Sequence, residues 1–146
     1  MKIKIKTLNP LAQRPERACP EDAGFDLVAT DMRYATDDDT GLYTEYGTGI
    51  SMAIPKGYVG LVFPRSSVST TRHTLRNSVG VIDSGYRGEI RLRYSPDDSR
   101  LAYQVGDKIG QIVFVKIPVV ELEEVDDLID SARGKKGFGS TDAKDS

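Results

Sequence analysis

The residues best suited to chemistry in this 146-residue chain crowd into positions 133–141, near the C-terminus. The segment combines three glycines, three cations, two hydroxyls and one aromatic ring. Glycines let backbone amides turn toward an anion, because no Cβ restricts them. Arg133 adds charge, Ser140 and Thr141 add donors, and Phe138 offers a flat surface. This composition predicts an arm that closes over a polyphosphate and a planar base.

The same segment also has features of a Walker loop and of a soluble tail. Gly134 and Gly139 have the separation found in a Walker loop, but Ser140 stands where that motif needs lysine, and no strand-to-helix unit fits after it. A P-loop is therefore excluded. A loose, soluble tail rich in Gly and Lys stays open at this point. Phe138 argues against it, since a tail selected only for solubility has little use for an embedded ring.

A second candidate lies at residues 80–89, where an apolar run leads into a tight turn at Ser84 and Gly85. We expect a hairpin with Asp83 and Tyr86 flanking its tip. Asp83 could act as a base there, or it could be a turn residue that bonds to its own backbone. Both interpretations remain open from the residues alone.

A third candidate is Arg65, which follows an apolar strand and precedes the hydroxyls of Ser66 and Ser67. An arginine with two hydroxyls at a strand end, opening a short helix over 66–75, is typical of a phosphate site. By itself the pattern is common on protein surfaces, so it supports the other two segments rather than standing alone.

The elements that must position these residues are almost all strands. Residues 2–6 alternate lysine and isoleucine, which is the period of a half-buried or edge strand. Gly and Pro interrupt the apolar runs repeatedly. The pattern predicts an all-β sandwich, jelly roll or small barrel. The predicted strands are 2–6, 24–30, 49–54, 58–63, 89–94, 110–117 and 119–125.

Composition narrows the class of protein further. The length fits a single domain over 1–146, and 38% hydrophobic with 29% charged residues is ordinary for a soluble protein. A net charge of -2 argues against nucleic-acid or membrane-surface partners. The lysine-rich start and the single Cys19 favour the cytoplasm. His73 is the only histidine, which disfavours a His-based zinc site or a Ser-His-Asp triad, and the acidic stretches 36–41 and 121–130 are expected to be solvated surface.

Taken in order, these segments resemble the trimeric deoxyuridine triphosphate nucleotidohydrolases, the dUTPase family. The resemblance covers five blocks, 23–27, 64–67, 77–89, 105–111 and 133–141. It implies a jelly-roll-like β-barrel that forms a homotrimer with exchanged C-terminal arms, here 119–146. It also implies Mg²⁺-dependent hydrolysis of dUTP to dUMP and pyrophosphate, which limits uracil incorporation into DNA and supplies dUMP for dTMP synthesis.

The turn segment carries the chemistry in this resemblance. Asp83 matches the general base that activates the attacking water. Tyr86 matches the tyrosine that stacks under deoxyribose and excludes a 2′-hydroxyl, and Arg91 matches a position that completes base or sugar contacts. The segment matched to the uracil reader comprises Asn77, Gly80, Val81 and Ile82.

The remaining blocks match the triphosphate contacts. Arg65, Ser66 and Ser67 correspond to a phosphate-binding block, with Ser66 donating to the oxygen between the α- and β-phosphates. Gln111 matches a contact to the α-phosphate or to metal-bound water. Asp26 is expected to act through water on Mg²⁺, which is commonly held by phosphates.

In the arm, the resemblance assigns Arg133 to the γ-phosphate and Phe138 to stacking on uracil. Gly139, Ser140 and Thr141 match donors to the β- and γ-phosphates. Lys136 stands where a glycine is usual in the family, and its effect on arm closure is left open.

The sequence departs from the family pattern at two further positions, and two other functions remain as alternatives. Gly85 replaces an aspartate that is common in the family, and Gly110 replaces a common alanine. A dCTP deaminase is disfavoured, because that related family has a different turn and lacks the Phe-centred arm. A nucleotide-responsive regulatory binding protein is the second alternative, and a regulatory protein partner is not identifiable from the sequence.

Overall fold

The computed structural model describes residues 1–37, 41–95 and 102–135. Within them, nine strands and one short 3₁₀ helix, Ser66–Thr70, follow one another along the chain. The strands are β1 (Lys4–Thr7), β2 (Phe25–Val28), β3 (Asp31–Asp37), β4 (Gly41–Gly47), β5 (Ile50–Ala53), β6 (Tyr58–Phe63), β7 (Gly80–Ile82), β8 (Arg91–Tyr94) and β9 (Lys108–Lys116).

These strands form three antiparallel sheets around one core. The largest has the order β2-β9-β6-β7, the second β3-β4-β8, and the third pairs β1 with β5. Some neighbours in the sheets are far apart in sequence, as in β2 with β9 and β4 with β8, whereas β3 pairs with the next strand, β4. The predicted all-β, jelly-roll-like architecture is confirmed.

The core is aliphatic at one end and aromatic at the other. Tyr46, Tyr94 and Tyr103 pack edge-to-face, with ring centroids 5.5 to 6.2 Å apart. Such contacts stabilise beyond the area they bury. The Tyr94 hydroxyl donates to the Ile109 carbonyl, which ties β8 to β9. The buried aliphatic residues are Leu27, Ile50, Met52, Ile54, Val62, Leu75, Ile90, Leu92, Ile109 and Ile112.

The β3–β4 hairpin is absent from the predicted strands, which treated 36–41 as a surface loop. Its inner strand β4 lies between β3 and β8, and it buries Glu45 to 1% exposure. A buried carboxylate breaks the alternation of apolar and polar residues on which the strand prediction relied. The partners that make this burial possible come from β3 and β8, so the signal is not local.

Three other local predictions need correction. The expected helix over 66–75 is only the five-residue 3₁₀ helix, which is too short to offer a substantial helix dipole. The turn at Ser84 and Gly85 forms, but its flanking strands do not pair with each other: β7 pairs with β6, and β8 pairs with β4. Residues 119–125 form no strand, and Val119 and Leu122 are more than 90% exposed. Among the described residues, this segment pairs with no strand.

Candidate active site

Asp26, on β2, is held between two cations. Its Oδ1 accepts a hydrogen bond from Arg65 Nε at 2.8 Å, and its Oδ2 lies 2.7 Å from Lys108 Nζ. The Asp26 side chain is only 12% exposed, whereas Arg65 and Lys108 are 31% and 48% exposed. Because Asp26 uses Nε, the two terminal nitrogens of Arg65 have no partner among the described residues. They remain available for an anion.

A pocket of about 410 Å³ opens beside this ion cluster. It brings together four residues that the sequence predicted as phosphate or metal contacts: Asp26, Arg65, Ser66 and Gln111. Lys108 was not predicted, although it lies only three residues before Gln111. The complete lining is Ala18, Asp22, Ala23, Gly24, Asp26, Arg65, Ser66, Gln111 and Val113.

Gln111 is fixed in this pocket by backbone on two sides. It lies opposite Asp26 in the β2–β9 register, and its Nε2 donates to the Pro64 carbonyl at 3.1 Å. A Cβ on Gly24 would overlap Gln111 Oε1 and come within 3.0 Å of Cδ. Gly24 therefore lets the Gln111 amide lie against the backbone, and this explains the glycine in the first matched block.

An aromatic cluster supports the segment that carries Arg65 and Ser67. Burial raises the pKa of the Tyr103 hydroxyl, while the nearby charge of Arg65 acts in the opposite direction. His73 stacks on Tyr103, with ring centroids 5.2 Å apart. Its Nε2 accepts from the Tyr103 amide, so Nδ1 is the nitrogen that donates to the Ser95 carbonyl at 3.0 Å. The only histidine thus serves the scaffold beneath the pocket.

The predicted general base lies on a different edge of the same sheet. β7 is the outer strand, and among the described residues only one of its backbone edges is paired. Asp83 follows it, exposed, and the Tyr86 amide donates to the Asp83 carbonyl at 3.1 Å to close the turn. The described residues give the Asp83 carboxylate no hydrogen bond or ion pair. Asp22 and Asp107, by contrast, bond to nearby backbone amides as turn residues do.

The other residues of this block surround the same turn. The Tyr86 hydroxyl donates to the Glu89 carbonyl at 3.0 Å, and its ring is 44% exposed. Val81 points outward at 58% exposure, and the Asn77 carbonyl lies beside Gly80. The free edge of β7 therefore presents backbone donors and acceptors next to exposed apolar and aromatic surface.

The pocket and the turn are separated within one chain. In the sheet register Gln111 pairs with Phe63, whereas Ile82 pairs with Gly60. These two positions on β6 are three residues apart, which is roughly 10 Å along the strand. β9 and β7 lie on opposite sides of β6, roughly 10 Å from each other. A single copy thus does not bring Asp83 to the pocket of Arg65.

Arg91 lies in a separate ion network. Its Nε contacts Glu45 at 2.7 Å, and its terminal nitrogens contact Glu89 and Asp31, both at 2.5 Å. All three nitrogens therefore have protein partners, and a substrate contact by Arg91 would compete with them. Burial would raise the pKa of Glu45, but hydrogen bonds from Arg93, Arg33 and Arg91 outweigh it and lower that pKa.

Two of the departures from the family pattern have a local explanation. A Cβ on Gly110 would lie 2.5 Å from Leu92 Cδ2 and 3.1 Å from the Phe63 carbonyl, so the bulk of Leu92 requires glycine at 110. A Cβ on Gly85 would meet nothing within 4 Å, so the turn does not require glycine there.

The arm is described only in part. Residues 117–135 carry no strand, and Arg133 is exposed. Lys136, Phe138, Gly139, Ser140 and Thr141 lie outside the described residues, so their assigned roles stay predictions.

The fold and site define an antiparallel β protein with a basic, hydroxyl-bearing pocket and an exposed carboxylate on a separate turn. The family model described as dUTPase matches residues 11–142, and the chain belongs to the dUTPase family. The deoxyuridine 5'-triphosphate nucleotidohydrolase of Rhodococcus erythropolis is 38% identical over 97% of this chain and 86% of its own. That of Thermobifida fusca is 40% identical over 97% of this chain and 79% of its own.

Solved structures agree with this assignment. A dUTPase mutant from Staphylococcus bacteriophage 80alpha, solved with dUpNHpp, has a TM-score of 0.79 and 27% identity over 96% of this chain and 98% of its own. A mutant dUTPase from phage phi11 of S. aureus, described as coordinating a structural Mg(II) ion, has a TM-score of 0.71 and 26% identity over 87% of this chain and 98% of its own.

Proposed function

We propose that this protein hydrolyses dUTP to dUMP and pyrophosphate. Family membership, relatives named as nucleotidohydrolases of this substrate, and a similar structure holding a dUTP analogue support the activity. The observation that carries it in this chain is Arg65, which Asp26 orients through Nε while its terminal nitrogens bond to no group in the described part of the chain.

Arg65, Ser66 and Ser67 bind the phosphates in this proposal, and Gln111 contacts the α-phosphate. Because Asp26 fixes Nε, Arg65 loses little freedom when it meets a phosphate, which favours two parallel hydrogen bonds. Ser66 donates to the bridging oxygen between the α- and β-phosphates and so stabilises the charge that the leaving pyrophosphate gains.

Asp83 acts as the general base. Its carboxylate is exposed and free of backbone hydrogen bonds, so it can accept a proton from a water aimed at the α-phosphorus. Asn77, Gly80, Val81 and Ile82 present the unpaired edge of β7 to uracil, and Tyr86 stacks on the sugar. A rigid edge rejects a thymine methyl by overlap rather than by weaker contact.

The residues fit a Mg²⁺ ion carried by the triphosphate better than a dedicated site. Within the described ranges, no group of three or more His, Cys, Asp or Glu side chains could hold a metal. Both Asp26 oxygens already face cations, so Asp26 and Gln111 would contact the ion through water. When bound, Mg²⁺ neutralises phosphate charge and makes the phosphorus more electrophilic.

We infer that the working form is a homotrimer, because one chain does not unite Asp83 with Arg65. Copies that place the β7 turn of one subunit over the pocket of another complete the site. The exchanged arm, 119–146, contributes from a further copy. There Arg133 pairs with the γ-phosphate, Phe138 stacks on the base, and Gly139, Ser140 and Thr141 donate to phosphate oxygens.

The surface supplies a seat for the exchanged segment. A groove of about 810 Å³ has apolar walls that include Phe25, Met52 and Phe114, and a basic rim. The rim cations are Lys2, Lys4, Arg14 and Arg17. Residues 119–130 carry six carboxylates and exposed Val, Leu and Ile side chains, which match this groove in charge and polarity.

In a cell, this activity lowers dUTP, limits uracil incorporation into DNA and supplies dUMP for dTMP synthesis. We place the protein in the cytoplasm, without nucleic-acid or membrane partners. Among the described residues, no helix is long and apolar enough to cross a membrane. A regulatory second role is a separate candidate, since solved phage 80alpha dUTPases are described as controlling transfer of virulence genes.

The Asp83→Asn variant tests the proposal. It keeps the size of the side chain and removes its basicity, so turnover should fall by about two to four orders of magnitude. Binding of a non-hydrolysable dUTP analogue, measured by calorimetry, should persist. Near-normal turnover in this variant would remove Asp83 from the mechanism.

A further inference from the structure

The ring of Tyr86 lies directly over the backbone of Gly88. A Cβ built on Gly88 would overlap the Tyr86 hydroxyl oxygen, and it would lie 2.6 Å from Cζ and 3.0 Å from Cε2. These three atoms of one side chain are the nearest obstacles. Gly88 does not have a positive φ, so its backbone would accept alanine. Beyond its chain neighbours, the atoms that a side chain at this position would meet first all belong to the tyrosine side chain.

The ring is tethered at both ends in this arrangement. Its hydroxyl donates to the Glu89 carbonyl at 3.0 Å, and its backbone amide closes the turn onto the Asp83 carbonyl at 3.1 Å. Arg87 Nη1 donates to the Ser84 and Tyr86 carbonyls at 2.8 and 2.7 Å and braces the same turn. The turn is thus held by backbone contacts, and the ring plane is set by the flat surface at Gly88.

We infer that Gly88 is a positioning residue for nucleotide selection, because it seats the Tyr86 ring in the plane that admits deoxyribose and excludes ribose. The inference rests on the proposed hydrolysis of dUTP. A side chain at 88 lifts the ring and breaks the bond to Glu89. The sugar then no longer packs against a fixed Tyr86 ring. A ribose 2′-hydroxyl is excluded less strongly, and the deoxyribose of dUTP loses its contact with the ring.

The local environment separates this role from a structural one. Tyr86 is 44% exposed, so a displaced ring swings into solvent and leaves the core intact. Gly85, three residues earlier, is a matched control, because its Cβ would meet nothing within 4 Å beyond its own chain neighbours. Gly85→Ala makes the same chemical change in the same turn.

The experiment measures kcat/KM for dUTP and for UTP, with melting temperature, in wild type, Gly88→Ala and Gly85→Ala. Wild type should strongly prefer dUTP. Gly88→Ala should lower the dUTP-to-UTP ratio by about tenfold or more, the usual weight of one pocket contact, at an unchanged melting temperature. Gly85→Ala should retain the wild-type ratio.

A Tyr86→Ala background supplies the decisive comparison. If Gly88 acts through the ring, adding Gly88→Ala to Tyr86→Ala should change neither selectivity nor stability further. An equal loss of selectivity in both backgrounds would overturn the inference. An unchanged dUTP-to-UTP ratio in Gly88→Ala would also overturn it, even if this variant had a lower melting temperature. Absence of dUTP hydrolysis by wild type would instead contradict the proposed function, so the two failures are distinguishable.

Discussion

Replacing Asp26 by Asn separates two roles for this carboxylate, anchoring Arg65 and acting through water on Mg²⁺. The Asn side chain has the same shape, but its amide nitrogen must face Arg65 Nε or Lys108 Nζ, where a carboxylate oxygen now lies 2.8 or 2.7 Å away. One cation loses its partner. Arg65 and Lys108 are 31% and 48% exposed, so water compensates in part, and unfolding should become easier by about 2 kcal/mol.

The effect on catalysis should be larger than the effect on stability. An Arg65 displaced by about 1 Å should lower kcat/KM for dUTP about 100-fold. The assay is pyrophosphate release at increasing Mg²⁺, with Asp22→Asn as control, since Asp22 lines the same pocket but bonds to the Cys19 amide. The control should stay within severalfold of wild type. Recovery of Asp26→Asn at high Mg²⁺, or wild-type kcat/KM at all Mg²⁺ concentrations, would refute the anchoring role.

The remaining predictions concern the arm and the buried carboxylate. Deleting residues 133–146 should leave a folded trimer with severely reduced turnover. Deleting residues 119–146 should also dissociate the trimer, which sedimentation would measure. A monomer after the shorter deletion would contradict the idea that only the segment before residue 133 holds the subunits together. Glu45→Gln should ease unfolding by about 3 kcal/mol at neutral pH, because it leaves Arg91 and its neighbours short of a buried counter-charge. Since folding lowers the pKa of Glu45 below its usual 4.5, its stabilisation is complete above that pH and is lost as pH falls through the lowered value. The stability gap between Glu45→Gln and wild type, from denaturant titrations, should therefore narrow in acid; a constant gap would show that the charge of Glu45 is not responsible.

The fold class could be predicted from the sequence because strand alternation and turn residues depend only on residues that are neighbours in the chain. Alternation and Gly-Pro punctuation identified β1, β2, β5, β6, β8 and β9. The β3–β4 hairpin escaped because the burial of Glu45 depends on Arg33, Arg91 and Arg93 from neighbouring strands. No single-strand pattern contains that information.

The residues of the candidate site also divide into those that the sequence predicted and those whose role depends on contacts between separate segments. The pocket unites Asp26, Arg65, Ser66 and Gln111, whose proximity follows from the resemblance. Lys108 was missed because its contact with Asp26 depends on the β2–β9 pairing, and Gly88 because its function is to be small. The predicted strand at 119–125 failed for the opposite reason: its apolar pattern is real, but its apolar side chains stay exposed among the described residues.

Product analysis of the purified protein with dUTP, UTP, dTTP and dCTP in the presence of Mg²⁺ tests the central claim most directly. Chromatography should show dUMP and pyrophosphate in equal amounts from dUTP, with far slower conversion of the other three. Release of orthophosphate from dUTP, deamination of dCTP, or no turnover of dUTP would contradict the proposed function.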